Sequence, residues 1–146
     1  MLYIDELGLI GYAGRTHLRG EGKGSDVRMR SIDGRVETSF KETGRLRGVQ
    51  VYGEVTWWSD VAFVPKEGQS IWGKGVGIFF SQDGEKFTWD GFGTITRKNG
   101  KITERGSMLY TAPEKGAFAW LEGLIGVCEL EISPAFSFKI KVWEWK

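Results

Sequence analysis

From Trp72 to Ile95 the chain alternates glycine with larger residues on either side of an Asp-Gly pair, and few folds accept that pattern. Gly73, Gly75 and Gly77 share one face of the first segment, while Trp72, Lys74, Val76, Ile78 and Phe80 share the other. A period of two is the mark of a strand. Asp83-Gly84 is expected to form a two-residue hairpin turn with positive φ at both central positions. The returning segment puts Phe87, Trp89, Gly91, Gly93 and Ile95 on one face. Glycine at alternate positions lets a strand bend and coil sharply, as a closed sheet requires. The pattern predicts a small antiparallel barrel.

Two further turn signals, Asp33-Gly34 and Asn99-Gly100, also lie between alternating segments. They predict a first hairpin from 27–32 and 35–41, and a strand over 101–110 after the glycine-rich hairpin. Gly44 is read as a turn into a long strand from Leu46 to Trp58, and 61–70, with Pro65 and Gly68, as the longest loop. A turn at 112–116 leads to a last pair of strands, 117–131 and 136–145, joined near Ser133-Pro134. The fold class expected is all-β: one antiparallel up-and-down barrel of about eight strands over residues 1–146, with 1–14 irregular. No helix, linker or repeat is expected.

The turns imply a register. Around Asp83-Gly84, Phe80 should face Phe87, Ile78 Trp89, Val76 Gly91 and Lys74 Gly93. Around Asn99-Gly100, Trp89 should face Tyr110, Gly91 Met108, Gly93 Gly106 and Ile95 Glu104. A turn at 111–116 would set Ala119 opposite Met108 and Glu122 opposite Arg105. Val76, Ile78, Phe80, Phe87, Trp89, Ile95, Met108, Tyr110, Ala119 and Leu121 are then interior, and Gly73, Gly75 and Gly77 lie outside. Phe92 would cover the bare backbone at Gly75. Phe118 and Trp120 would remain on the outer surface, which suggests a homo-oligomer contact there.

Composition excludes several function classes. Twenty Lys and Arg against nineteen Asp and Glu, a formal charge of +1, leave no electrostatic footprint for nucleic acid. Arg15, Arg19, Lys23, Arg28, Arg30 and Arg35 are interleaved with Glu21, Asp26, Asp33 and Glu37, which reads as a solvated strand surface. Cys128 is the single cysteine, so no intrachain disulfide forms, and its local sequence offers no group that would activate a thiolate. The first residues carry Asp5 and Glu6 without a basic start or a long apolar run, unlike a signal peptide. No stretch approaches the ~20 apolar residues of a membrane-spanning helix. No membrane partner is expected, and the compartment expected is cytoplasmic. Seven Trp, nine Phe and four Tyr can fill a core without long aliphatic runs.

Motifs for a reaction are lacking. His17 is the single histidine, with no partner nearby in sequence to orient it, and one histidine with one cysteine argues against a zinc site. Gly73-Lys74-Gly75-Val76-Gly77 lacks the spacing and following helix of a phosphate loop. No cofactor and no metal are expected. The polar groups that the register sends inward are Lys74, Glu104, Tyr110 and the Trp89 indole. Lys74 and Glu104 could form an ion pair across Gly93 and Gly106. Alternatively, Lys74, Glu104 and Tyr110 would be the polar groups of an aromatic-walled pocket with Trp72, Trp89 and Met108.

Several residues carry a resemblance: Tyr52-Gly53, the Gly73-Lys-Gly75-Val-Gly77 strand, Asp83-Gly84-Glu85, Trp89-Asp-Gly91-Phe-Gly93, and Gly106 followed by Tyr110. The series continues through Leu121-Glu-Gly123-Leu-Ile-Gly126-Val127, Glu129 and the closing Trp143-Glu-Trp145. From Gly48 onward the chain resembles an uncharacterised prokaryotic family among the allene-oxide-cyclase-like, calycin-type barrels. The resemblance implies an eight-stranded, lipocalin-like barrel and frequent homo-oligomers. The wider group includes plant cyclases, dirigent proteins and bacterial cyclases of polyenes. No catalytic residue of those enzymes matches a position here.

Three functions remain. The first is a non-catalytic barrel that binds a small, largely apolar molecule through Trp72, Lys74, Trp89, Glu104, Met108 and Tyr110. The second is a cyclase or isomerase acting by confinement of a flexible apolar substrate, with Glu104 or Tyr110 polarising or protonating it. The third is a structural or assembly barrel with a packed interior.

Overall fold

The computed structural model describes the backbone of residues 2–4, 10–61 and 65–145, and the side chains of 20–61 and 65–145. Among them nine strands follow one another in simple antiparallel order: β1 (Leu2–Ile4), β2 (Ile10–Ile32), β3 (Arg35–Leu46), β4 (Val49–Ser59), β5 (Ser70–Ser81), β6 (Lys86–Lys98), β7 (Lys101–Thr111), β8 (Ile125–Ile132) and β9 (Ser137–Trp145). β2 is long enough to pair with both β3 and β9, and that second pairing closes β2–β9 into an eight-stranded barrel. β1 adds three residues to β2, so part of the expected irregular segment is strand. Side-chain orientation at His17 lies outside the described residues.

Two of the three expected two-residue turns form as read. Asp33 and Gly34 both have positive φ (49° and 76°), as do Asn99 and Gly100 (52° and 77°). The β6–β7 register follows: Trp89 pairs with Tyr110, Gly91 with Met108, Gly93 with Gly106 and Ile95 with Glu104.

The third turn differs, and the difference inverts a wall of the barrel. Ser81 pairs with Glu85, the Gly84 N–H donates to the Ser81 carbonyl (3.0 Å), and the Glu85 N–H donates to the Ser81 hydroxyl (3.2 Å). Only Gly84 has positive φ, so the connection is a type I turn plus one left-handed glycine. Serine at the first position of such a turn favours it. A three-residue loop instead of two slips the register by one, which sends every side chain of β5 to the opposite face. Gly75 therefore pairs with Gly91, Lys74 with Phe92 and Phe79 with Phe87. Gly73, Gly75, Gly77 and Phe79 point inward, whereas Trp72, Lys74, Val76, Ile78 and Phe80 are exposed outside. The expected inward placement of Trp72 and Lys74 is overturned, and with it the Lys74–Glu104 ion pair.

The inward glycines are not empty space. A Cβ on Gly73 would overlap the Trp57 ring, and one on Gly77 would overlap the Trp89 indole and reach Phe79. Gly75 lies between both tryptophans. The bare inner face of β5 is thus a bed for two indoles projected from β4 and β6. Burial of such large rings supplies roughly 25 cal/mol per Å² of apolar surface removed from water.

The first hairpin also runs further than expected. Gly44 lies within β3, where its missing side chain lets the Glu21 carbonyl approach, and the chain reverses at Arg47-Gly48, both at positive φ. On the outside of β2 and β3 the charges pair across strands, Arg30 with Glu37 at 2.7 Å and Lys41 with Asp26 at 3.4 Å.

One end of the barrel is stoppered by residues 112–124, of which 117–124 were expected to be strand; β8 begins only at Ile125. A short 3₁₀ turn at Ala119–Leu121 drops Phe118, Leu121 and Leu124 into the core, where Phe118 meets the edge of Phe87 (4.9 Å). Phe118 is 2 % exposed, which removes it as a surface contact. Trp120 is partly buried under the Arg47 guanidinium, 3.7 Å from its ring centre. Glu85 holds the stopper by accepting the Ala117 N–H (3.1 Å). β8 then pairs with β7 so that Met108 meets Gly126 and Arg105 meets Glu129, not Ala119 and Glu122.

Candidate functional site

The barrel interior holds a cavity of about 100 Å³. Its walls are mainly aromatic and aliphatic: Phe40, Val55, Trp57, Phe79, Phe87, Trp89, Met108, Leu130 and Ile140 all line it. Glu42, Glu104, Tyr110 and Cys128 break that surface, and the exposed residues Glu21 and Arg45 also border the cavity.

Glu42 and Glu104 are set by strand period alone. Glu42 follows Phe40 and precedes Gly44 and Leu46 on the inner face of β3, and Glu104 follows Ile102 and precedes Gly106 on the inner face of β7. In the closed order β2–β9, β3 and β7 are four strands apart in either direction, so the two carboxyls stand on opposite walls and point toward each other. On its own wall Glu42 is paired with Gly24 on one side and Gly53 on the other. The space beside those glycines is filled by the Phe136 and Phe79 rings. Glu104 is paired with Ile95 and Leu130.

These surroundings determine the protonation state. Burial pushes the Glu42 carboxyl up to about 8, with the facing Glu104 adding to the rise. Burial pushes Glu104 up to about 7. Neither carboxyl is hydrogen-bonded or ion-paired to a described residue, and each keeps part of its surface open to the cavity. A buried carboxylate without a partner is costly, so the pair holds protons to near-neutral pH. The Tyr110 phenol is raised by burial, and its hydroxyl donates to the Met108 sulfur at 3.2 Å. The Cys128 thiol is pushed up to about 12, chiefly by burial and then by Glu104. Neither phenol nor thiol ionises in the physiological range.

Of the six residues read from sequence as a binding set, the structure brings Trp89, Glu104, Met108 and Tyr110 to one cavity and leaves Trp72 and Lys74 on the outer wall. Sequence reasoning missed Glu42 and Trp57. The signal for Glu42 was present: one acid in the inward series Thr38, Phe40, Glu42, Gly44, Leu46. Among the described residues, no group of three or more His, Cys, Asp and Glu side chains could hold a metal ion, and no helix is long and apolar enough to cross a membrane. Comparison of the chain with protein-family models, with curated proteins and with solved structures finds no match.

A second feature lies outside. Trp72 (62 % exposed), Val76, Ile78, Phe92 (59 % exposed), Leu109, Ile125 and Val127 are exposed on the outer face of β5–β8, interspersed with polar residues. Phe92 lies between Lys74 and Ser107, Val76 beside Asp90, and Leu109 beside Ile125.

Proposed function

We propose that the barrel interior binds a small, largely apolar molecule. The observation that carries this reading is the aromatic-walled cavity with a few placed polar groups, the usual makeup of a small-ligand site. Its volume, about 100 Å³, suits a compact group. An engineered apolar cavity of about 150 Å³ accommodates benzene, so a molecule of about five heavy atoms is the scale that fits. Titrating a panel of four- to six-carbon compounds while following tryptophan emission and heat of binding tests it. Saturable binding is expected, and it should vanish in Leu130→Phe, which fills the cavity. No saturable binding by any compound, or binding undiminished in Leu130→Phe, overturns the reading.

The cyclase or isomerase reading draws support from Glu42 and Glu104, since carboxyls raised toward neutrality suit general acid and base work. The cavity size weighs against confinement of a long flexible chain, and the binding reading is therefore preferred.

We also propose that two copies of the chain associate through the outer face of β5–β8, because that face exposes large apolar side chains, Trp72 and Phe92 foremost. Sedimentation should show a dimer or larger assembly that Trp72→Thr with Phe92→Thr converts to monomer. A wild-type monomer at micromolar concentration excludes it.

A further inference from the structure

We propose that the interior site is built for a compact organic cation, an alkylammonium whose charged nitrogen sits between Glu42 and Glu104 and whose carbon body lies against Trp57 and Trp89. This deepens the cavity reading above and rests on it. Three observations converge. The two carboxyls project from opposite walls into one cavity. Neither has a hydrogen-bonding or ionic partner among the described residues. The remaining wall presents aromatic rings, whose negative faces attract a cation strongly once water is excluded. A neutral apolar ligand would use the rings and leave the carboxyls as pure cost. An ammonium uses both.

Among the described residues, the other titratable groups that line the cavity are Tyr110 and Cys128, which burial keeps neutral, and Glu21 and Arg45, both exposed to solvent. Tyr110 and Cys128 add no competing charge. Because Glu42 and Glu104 hold their protons to near neutrality when the site is empty, seating a cation must drive a proton off the pair. Affinity should therefore rise about tenfold per pH unit below the first ionisation and level off above it.

Isobutylamine and isobutanol, equal in heavy-atom count and shape, separate the possibilities. Calorimetry at pH 6 and pH 8, in buffers of different ionisation enthalpy, counts the protons released. Expected are tighter binding of isobutylamine than of isobutanol by at least tenfold at pH 8, and release of about one proton at pH 6. In Glu42→Gln with Glu104→Gln, which removes charge while keeping size, the amine should lose at least tenfold more affinity than the alcohol does. Equal binding of the two compounds, or amine binding without proton release or without loss in the double variant, overturns the cation proposal while leaving the cavity reading intact. Binding of neither compound overturns both.

Discussion

The walls β3 and β5 both alternate strictly, yet they divide polarity in opposite ways. β3 turns Phe40, Glu42, Gly44 and Leu46 inward and exposes Lys41, Thr43 and Arg45. β5 turns Gly73, Gly75 and Gly77 inward and exposes Trp72, Val76, Ile78 and Phe80. On β3 the interior receives an acid from a strand whose outside is charged. On β5 the interior receives Ile71 and Phe79, but between them only bare backbone, which Trp57 and Trp89 from its neighbours cover. An apolar face therefore need not be the inner face of its own strand. What decides is which rings reach across, and the displaced apolar residues stand on the outer surface.

Two experiments probe that contrast, beginning with the larger effect. On β3 and its counterpart β7, the folded-state values of Glu42 and Glu104 lie above those of an unfolded glutamate, ~4.3. A raised group contributes its full stability below the unfolded value and loses it as pH rises through the folded value. Wild-type stability should thus fall between about pH 5 and pH 9, by on the order of several kcal/mol. Denaturant titrations of Glu42→Gln with Glu104→Gln should be flat across the same window. A wild-type stability that climbs with pH there would refute the buried, uncompensated state of the pair.

On β5 the prediction is an asymmetry between adjacent residues. Gly77→Val forces a side chain into the Trp89 indole and should cost about 3 kcal/mol. Ile78→Thr, one residue along on the outer face, should change the stability of the monomer by no more than about 0.5 kcal/mol. Equal costs at the two positions would mean that β5 does not have the inner and outer faces described.

Much of this was readable in advance. The barrel class, the strand order and the β6–β7 register followed from alternation and Asn99-Gly100, whose residues tolerate positive φ. So Trp89, Glu104, Met108 and Tyr110 could be placed on one face. The β5 faces could not, because the choice between a two- and a three-residue loop at Asp83-Gly84 depends on the Ser81 hydroxyl bonding the Glu85 N–H. That bond accompanies the three-residue loop, and the slipped register leaves Trp72 and Lys74 outside. Glu42 was hidden for a different reason. The turn was expected at Gly44, whereas Arg47 takes the left-handed conformation that a sequence reader assigns to glycine or asparagine. With the strand ended early, its inner face was never followed to the acid.

Cys128 gives the stoppered barrel one more property, a kinetic one. Its thiol lines a cavity of about 100 Å³, and its ionisation is held far above neutral pH. A reagent too bulky for that cavity reaches the sulfur only when strands part. Where reclosing outpaces the slow thiol reaction, the rate at which such a reagent consumes this cysteine reports the fraction of time the sheet is open, recorded by the chain without any added label.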